Sequence, residues 1–290
     1  MNAHGGAFAV IGDPVAHSVS PPMQRAAFGA AGIEATYVAE RVSAAALAAT
    51  WPELLRRLSG WSVTRPLKEA AIALVDHLAP EAERCGSVNT VVVHGTRTAG
   101  HSTDGAGFLA ALSRVRPGPA RRAVILGTGG ATRAVAAALA GTGATVLLVG
   151  RNAAAGRSVA ADLSARGSAV TFAGGRGALA GALDGADLVV NATPMGDPSM
   201  PGTSPIPDGL ALEALEPRPL VFDLVYRPRR TRLLEQAAAA GCPTVEGIEM
   251  LIGQGAASFE LWTGLPAPVE IMRAAAYRAV DEQVTVGGER

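Results

Sequence analysis

Residues 122–152 read RAVILGTGGATRAVAAALAGTGATVLLVGRN. A short apolar run at 122–126 predicts a buried strand, and the alanine-rich segment that ends at Leu139 predicts a helix. Glycines turn the chain between these two elements, and a second apolar strand is predicted over 144–149. Strand, glycine turn, helix and strand form a unit that binds dinucleotides, because glycines let the backbone approach a pyrophosphate and the helix N-terminus offers free N–H groups. The stretch therefore predicts a Rossmann-type domain.

The residues that follow the second strand indicate which dinucleotide binds. The turn by itself is also compatible with an ordinary strand-to-helix connection, since Thr132 replaces the third small residue of the G-x-G-x-x-G pattern. Arg151 comes directly after the strand and Arg157 follows, whereas the first acidic residue is Asp162. Arginine suits a 2′-phosphate, and an acidic residue would suit a ribose 2′-OH. The sequence therefore favours NADP over NAD. The alternative is that Arg151 is only a solvated charge in a loop.

Composition excludes several classes of function. The chain has 290 residues with 25 acidic and 25 basic side chains, which gives no charge excess for nucleic acid or a membrane surface. Cys85 and Cys242 are too few for a disulfide framework, so we expect a reducing compartment. No apolar run reaches the ~18–20 residues of a membrane span, and residues 1–6 lack a signal-peptide pattern. We expect a cytoplasmic monomer or homodimer whose partner is a small molecule.

Strands alternate with helices on both sides of the glycine turn, which predicts two α/β regions with parallel sheets and a ligand cleft between them. We expect an α/β substrate domain at 1–106, the Rossmann-type domain at 107–242, and C-terminal helices at 243–290 that pack back on the first domain. The predicted strands lie at 8–12, 35–42, 61–64, 87–93, 187–193, 219–224 and 244–245. The predicted helices lie at 21–31, 43–58, 68–78, 230–240, 249–262 and 269–280.

Five polar clusters lie at turns beside the apolar strands. Together they supply hydroxyls, amides, one amine and one carboxylate, which are the groups that bind a small polyhydroxylated acid and move a proton at an alcohol oxygen. They occupy 17–21, 62–68, 87–90, 102–105 and 253–254.

Taken singly, each of these residues has a plainer interpretation. Ser18 and Ser20 could cap the helix that Pro21 begins. Lys68 could be a solvated charge in the first turn of a helix. Asp104 could cap a helix, and Asn89 could fix a turn. The clusters gain their meaning from their order along the chain.

The motifs along the chain are, in order, IGDPVAHSVSP at 11–21, VTRPLK at 63–68, VNT at 88–90, TDG at 103–105, NAT at 191–193, DLVYRP at 223–228 and GIEMLIGQ at 247–254. This ordered set resembles the shikimate dehydrogenase family over nearly the whole chain. The resemblance implies a reversible, NADPH-dependent reduction of 3-dehydroshikimate to shikimate in aromatic amino-acid (chorismate) biosynthesis. It implies no metal.

The resemblance also assigns roles to residues. Lys68 and Asp104 would be the catalytic acid–base pair. The substrate carboxylate would be held by Ser18, Ser20 and Tyr226, and the ring hydroxyls by Thr64, Asn89, Asp104 and Gln254. The cofactor contacts would be Gly127, Thr128, Gly129, Gly130, Ala131, Arg151, Asn152, Thr193, Leu224, Gly247 and Met250, the last two near the nicotinamide.

Departures from the family pattern keep other hypotheses open. Ser62 and Ser102 stand where the family usually has Asn, and Val19 where it commonly has Lys. An enzyme of the same family that prefers quinate or an aminated shikimate is therefore a second hypothesis. A third is a ligand-sensing module without catalysis, against which the retained Lys68 and Asp104 argue.

Overall fold

The chain divides into two compact α/β units in the computed structural model, which describes residues 6–287. The first unit contains residues up to Gly107 together with those from Leu251 onward, and the second comprises Phe108–Met250. The second boundary lies beyond the expected position at 243, because the short strand Thr244–Val245 pairs within the second unit. The predicted α/β class, with a Rossmann-type second half, is confirmed.

The first unit is built on a six-stranded mixed sheet with the order β2-β1-β3-β5-β6-β4. Its strands are β1 Ala7–Gly12, β2 Thr36–Arg41, β3 Gly60–Val63, β4 His77–Leu78, β5 Thr90–His94 and β6 Arg97–His101. Its helices are α1 Ser20–Ala30, α2 Leu47–Arg57 and α3 Pro80–Cys85, followed by the start of α4 Asp104–Ser113, most of α9 Gly247–Thr263, and α10 Val269–Gly287.

Successive side chains along these strands point to opposite faces of the sheet, and both faces are buried. One face carries Trp61, whose ring meets Trp51 of α2 edge to face with centroids 5.0 Å apart. The other face carries Phe8, which stacks on Phe28 of α1, and Phe28 in turn contacts Phe259 of α9. Helix α10 packs along α1. Aromatic contacts thus hold α1 and α9 on the same face of the sheet.

The second unit has an all-parallel sheet with the order β12-β11-β10-β7-β8-β9. Its strands are β7 Arg122–Leu126, β8 Thr145–Val149, β9 Val170–Gly174, β10 Leu188–Asn191, β11 Leu220–Asp223 and β12 Thr244–Val245. Its helices are α5 Gly130–Gly141, α6 Ala153–Ala165, α7 Leu179–Leu183 and α8 Arg232–Ala239. The order reverses between β7 and β10, which is where ligands bind in open parallel sheets.

Helices cover both faces of the second sheet. Ile125 of β7 is buried with Val135 of α5, whereas its neighbour Val124 is buried with Leu183 of α7 on the opposite face. A strand buried on both sides needs apolar residues at successive positions, which explains the continuous apolar run of β7.

Two predictions for the first unit are wrong. The helix expected over 68–78 is a 3₁₀ turn at Ala70–Ala73 followed by β4, because the backbone of 77–78 finds a parallel partner in β6. Its sheet is not parallel throughout, since β5 and β6 form an antiparallel hairpin around Gly95, which has φ +66°. The parallel arrangement is correct for the second unit.

Within residues 6–287, no helix combines the length and apolar character that a membrane crossing requires. The same part of the chain contains no group of three His, Cys, Asp or Glu side chains that could hold a metal ion.

Candidate functional site

The predicted acid–base pair is formed in the first unit. Lys68 Nζ donates a hydrogen bond to Asp104 Oδ2, and the exposed fractions of the two side chains are 16% and 5%. Lys68 is therefore a largely buried ion-paired amine, which excludes the solvated-charge interpretation. Asp104 begins α4, but its carboxylate contacts side chains instead of capping the helix.

Sheet topology brings these two residues together. Lys68 follows the carboxyl end of β3, and Asp104 follows the carboxyl end of β6. Both strands are antiparallel to β5, which lies between them, so their carboxyl ends share an edge with the beginning of β5. The Val88 N–H donates to the Lys68 carbonyl over 2.9 Å and fixes the turn that carries the amine.

Asn89, directly before β5, orients the carboxylate. Its Nδ2 donates to Asp104 Oδ1 over 2.9 Å. Its Oδ1 accepts from the Thr103 N–H over 2.8 Å, which fixes the orientation of the amide because an N–H group can only donate. The Asn89 side chain thus fixes a turn, as the plainer interpretation proposed, and also holds the second oxygen of Asp104.

Gln254 contributes to the same group from α9. Its Oε1 lies 3.3 Å from Asn89 Nδ2, and its Nε2 donates to the Leu251 carbonyl over 2.9 Å. The two helices that carry Gln254 and Asp104 approach closely, since a Cβ at Gly107 would lie 2.3 Å from the Gln254 nitrogen. This close approach explains the need for glycine at 107.

The serines and Thr64 occupy the carboxyl ends of neighbouring strands. Ser18 Oγ accepts from the Ser20 N–H over 3.2 Å, while no side chain caps α1. Ser18 therefore closes a turn that presents Ser20 at the first position of the helix. The Thr64 N–H donates to the Ile11 carbonyl over 2.9 Å, which keeps Thr64 next to the end of β1.

In the second unit the glycine turn has the shape that a pyrophosphate requires. Gly127 has φ +123°, and a Cβ there would lie 2.9 Å from the Ala192 carbonyl oxygen. Space around Gly129 is open, because no atom lies within 4 Å of a Cβ added there. Gly129 is also the N-cap of α5, whose first turn, Gly130 and Ala131 included, is capped by no side chain. The N–H groups of this turn are available to an anion.

Arg151 is exposed at the end of β8, and among residues 6–287 no hydrogen bond or ion pair engages it. The next residue, Asn152, is the N-cap of α6, and its Oδ1 accepts from the Ala155 N–H over 3.0 Å. Thr128 packs close to Gly150, where a Cβ would lie 2.8 Å from the Thr128 methyl group. The Arg151 guanidinium is thus available to a ligand, whereas the Asn152 side chain is used to cap α6.

A network of buried polar side chains connects the carboxyl ends of β10 and β11. Asn191 Nδ2 donates to Asp223 Oδ1 over 2.8 Å, and the Thr193 N–H donates to Asn191 Oδ1 over 3.0 Å. Thr231 Oγ1 donates to Asp223 Oδ2 over 2.6 Å. Burial raises the pKa of Asp223 to about 6, although these hydrogen bonds oppose the rise. The network fixes the position of Thr193. The Leu224 N–H also donates to the Asn191 carbonyl, which fixes the segment after β11.

The remaining predicted residues also lie in the second unit. A Cβ at Gly247 would lie 2.6 Å from the Leu224 carbonyl, so α9 begins in close contact with the end of β11. Met250 is buried in the core with Phe222, and Tyr226 is half-buried in the segment after β11. Tyr226 therefore belongs to a different unit from Ser18 and Ser20.

One strong signal for the site lies in composition. Lys68 is the only lysine among the 25 basic residues, and the other 24 are arginines. A guanidinium is never deprotonated in proteins, whereas an amine exchanges its proton. The chain uses lysine only at position 68 and arginine at all its remaining basic positions. This choice indicates that position 68 requires a group that can exchange its proton.

The family of the chain follows from its relatives. The sequence profile for the shikimate dehydrogenase substrate binding domain matches residues 10–91, and that for the shikimate 5'-dehydrogenase C-terminal domain matches residues 247–277. The shikimate dehydrogenase (NADP(+)) of Moorella thermoacetica is 40% identical over 277 residues, which are 94% of this chain and 92% of the relative.

Solved structures agree with the sequence relatives. The shikimate 5-dehydrogenase of Thermus thermophilus, in complex with NADP(H) and shikimate, is 39% identical with a TM-score of 0.82, over 94% of this chain and 99% of its own. Quinate dehydrogenase of Corynebacterium glutamicum, in complex with NAD, is 30% identical with a TM-score of 0.84, over 94% and 98%. Identity of this level along nearly the whole chain, together with the Lys68–Asp104 pair, makes the chain a member of the shikimate dehydrogenase family.

Proposed function

We propose that this chain is an NADP-dependent shikimate dehydrogenase, which reversibly reduces 3-dehydroshikimate to shikimate and thereby serves aromatic amino-acid (chorismate) biosynthesis. The observation that carries the proposal is the buried Lys68–Asp104 pair, with one carboxylate oxygen on the amine and the other on Asn89. Arg151, unpaired within the described part of the chain, supports the choice of NADP.

The pair moves the proton of the reaction. When shikimate is oxidised, the substrate alcohol loses its O–H proton to the Lys68–Asp104 pair, and in the reverse direction the pair returns a proton to the carbonyl oxygen. General acid–base transfer of this kind contributes about 10²–10⁴ in rate when the groups lie within hydrogen-bond reach. Low exposure of both side chains keeps competing water away from the proton.

Hydroxyls and amides around the pair hold the substrate. Thr64 offers a hydroxyl and Gln254 an amide to the ring hydroxyls, each of which can donate and accept. Asn89, whose N–H groups are held by Asp104 and Thr103, offers its Oδ1 as an acceptor. Ser18 and Ser20 offer two hydroxyls to the carboxylate, and we assign Tyr226 to the same group. These contacts orient the reacting alcohol toward Lys68.

The glycine turn fits NADP. The open space at Gly129 and the uncapped first turn of α5 suit the pyrophosphate, and Arg151 suits the 2′-phosphate. Thr193, Leu224, Gly247 and Met250 would line the nicotinamide end, and Thr128, Ala131 and Asn152 the adenosine end. NADP, when bound, supplies the acceptor for the hydride of the substrate carbon.

Balanced charge and two buried free cysteines support a cytoplasmic enzyme without a nucleic-acid partner. We propose a monomer or a homodimer, which light scattering coupled to gel filtration would distinguish.

Steady-state kinetics with shikimate or quinate, each with NADP⁺ or NAD⁺, test the proposal. The highest kcat/KM is expected for shikimate with NADP⁺. A higher value for quinate with NAD⁺ would identify a quinate-type enzyme, such as the one from Corynebacterium glutamicum, and a higher value for an aminated shikimate in a fifth assay would identify that variant. No turnover in any assay would support a ligand-sensing module.

A further inference from the structure

Ser258 lies in α9, one helical turn after Gln254, and is fully buried. Its hydroxyl contacts three groups from different segments of the chain. Ser258 Oγ lies 2.9 Å from the Gln254 carbonyl oxygen, 2.7 Å from Thr90 Oγ1 and 3.1 Å from Thr103 Oγ1. Both threonines are buried as well. Ser258 is thus one of the points where α9 meets the two segments that carry Asn89 and Asp104, and the one whose side chain contacts both.

The chemistry of its partners determines which of these hydrogen bonds the Ser258 hydroxyl donates and which it accepts. A carbonyl oxygen can only accept, so the Ser258 hydroxyl donates to Gln254 and its oxygen is left to accept from the threonines. When Thr103 donates to Ser258, its own oxygen is free to accept from Asn89 Nδ2, which lies 2.9 Å away. A directed chain therefore runs from Asn89 through Thr103 and Ser258 to the Gln254 backbone. Hydrogen bonds in such chains strengthen one another.

This chain joins the Asn89 side chain to the Gln254 backbone, and the proposed function places both residues on one substrate. Asn89 and Gln254 are assigned to its ring hydroxyls, and the second Nδ2 hydrogen of Asn89 goes to Asp104. The direct contact between Asn89 Nδ2 and Gln254 Oε1 is long, at 3.3 Å. The Ser258 hydroxyl supplies the stronger connection between the helix of Gln254 and the turn of Asn89.

We propose that Ser258 is a positioning residue for the substrate, which acts through Gln254 and Asn89 and touches no reacting atom. The inference rests on the proposed function, since it concerns the binding of shikimate. A Ser258→Ala substitution removes the shared oxygen, leaves Thr90 and Thr103 in contact only with Asn89 and with each other, and so loosens the hold of α9 on the Asn89 side chain.

The expected effect is selective. Loss of one neutral hydrogen-bond connection corresponds to about a three- to tenfold rise in KM for shikimate. The KM for NADP⁺ should stay within twofold, because none of the residues that the Ser258 hydroxyl contacts is assigned to NADP. Alanine is a better helix former than serine, so the helix itself should not be weakened, although Thr90 and Thr103 each lose a buried partner.

The test is a double-mutant cycle of Ser258→Ala and Gln254→Ala, with KM for shikimate, KM for NADP⁺ and thermal stability measured for each protein. If Ser258 acts in part through Gln254, adding Ser258→Ala to Gln254→Ala raises the KM for shikimate by a smaller factor than Ser258→Ala does in the wild type. Thr263→Ala is the matched control, since Thr263 Oγ1 makes the same kind of bond to a carbonyl four residues back, over 2.8 Å, in the same helix.

Two results would overturn the proposal. One is a KM for shikimate in Ser258→Ala that equals the wild-type value; the other is a parallel rise in both KM values with a lowered melting temperature, which marks a merely structural role. Should Ser258→Ala fail to fold, Ser258→Cys, which keeps a side chain of similar shape but replaces the oxygen by a weakly hydrogen-bonding sulfur, must give the same selective rise. Wild-type protein that does not oxidise shikimate would instead refute the proposed function, and the role of Ser258 with it.

Discussion

Asn89 Nδ2 lies 2.9 Å from Asp104 Oδ1 and donates a hydrogen bond to it. The other oxygen of Asp104 accepts from Lys68, so neither carboxylate oxygen is left without a charged or amide partner. Because the Asn89 amide is itself fixed by the Thr103 N–H, the carboxylate has a defined plane before any substrate binds. The pair is preorganised for proton transfer, which is the condition under which such groups are effective.

Replacement of Asp104 by asparagine tests whether the carboxylate takes part in proton transfer. The variant keeps the size of the side chain but removes its charge and its basicity. We expect kcat for shikimate oxidation to fall by about 10²-fold or more. Asp76→Asn is the control, since Asp76 is a carboxylate of the same unit that accepts hydrogen bonds from Thr98. An Asp104→Asn enzyme within tenfold of wild type would contradict the assignment.

Alanine substitutions at two glycines of the turn should have different effects. At Gly127, φ of +123° and the nearby Ala192 carbonyl make any side chain strained, so Gly127→Ala should lower the melting temperature by several degrees. At Gly129 the space is open, so Gly129→Ala should leave the melting temperature nearly unchanged. Its methyl group would nevertheless occupy the space assigned to the pyrophosphate and raise the KM for NADP⁺. Equal melting temperatures for the two variants would refute this distinction.

Arg151 should determine the preference between the two dinucleotides. We expect Arg151→Ala to raise the KM for NADP⁺ by about 10- to 100-fold, as for the loss of a charge-assisted hydrogen bond, and to leave the KM for NAD⁺ unchanged. Arg230→Ala, which removes another exposed arginine of the same unit, should change neither value. A similar loss for both dinucleotides would show that Arg151 does not recognise the 2′-phosphate.

Asp223 should make stability depend on pH. Burial raises its pKa in the folded protein to about 6, from an ordinary value of 3.8. Between these values the folded state keeps a proton that the unfolded state has lost, so this contribution to stability is complete below about pH 4 and is lost as pH rises through 6. An Asp223→Asn variant has no carboxyl group at this position and therefore loses this pH-dependent contribution to stability.

The melting temperatures of wild type and Asp223→Asn, compared from pH 4 to pH 7, measure this effect. The difference in favour of wild type should shrink as pH rises. A difference that is constant across this range would show that Asp223 keeps an ordinary pKa.

The sequence predicted the nucleotide-binding segment at 122–149 well because its signals are local, whereas α6, β9 and α7, which lie between Arg151 and Asp187, were not predicted. The apolar run of β7, the turn at Gly127 and the alanine-rich α5 follow one another within about 20 residues, and each has a distinct pattern. The second strand and Arg151 then complete the nucleotide-binding unit.

The first unit was predicted less well because its geometry depends on contacts between distant segments. The spacing of Leu74, Val75 and Leu78 fits a helix, yet the pairing of 77–78 with β6 makes the end of this segment a strand. Motif order placed Lys68 and Asp104 in one site, but only the sheet topology explains why they meet. The role of Ser258 has no sequence signal, since a serine inside a helix is unremarkable until its threonine partners are known.

The most direct test of the central claim is the turnover of Lys68→Arg with shikimate and NADP⁺. Arginine keeps a positive charge beside Asp104 but cannot release a proton near neutral pH, so the variant separates proton transfer from charge. We predict that kcat falls by about 10²-fold or more, while the dissociation constant for shikimate, measured by calorimetry, changes only a few-fold. A Lys68→Arg enzyme that retains wild-type turnover would contradict the account, because it would make Lys68 a fixed charge and not the residue that carries the proton.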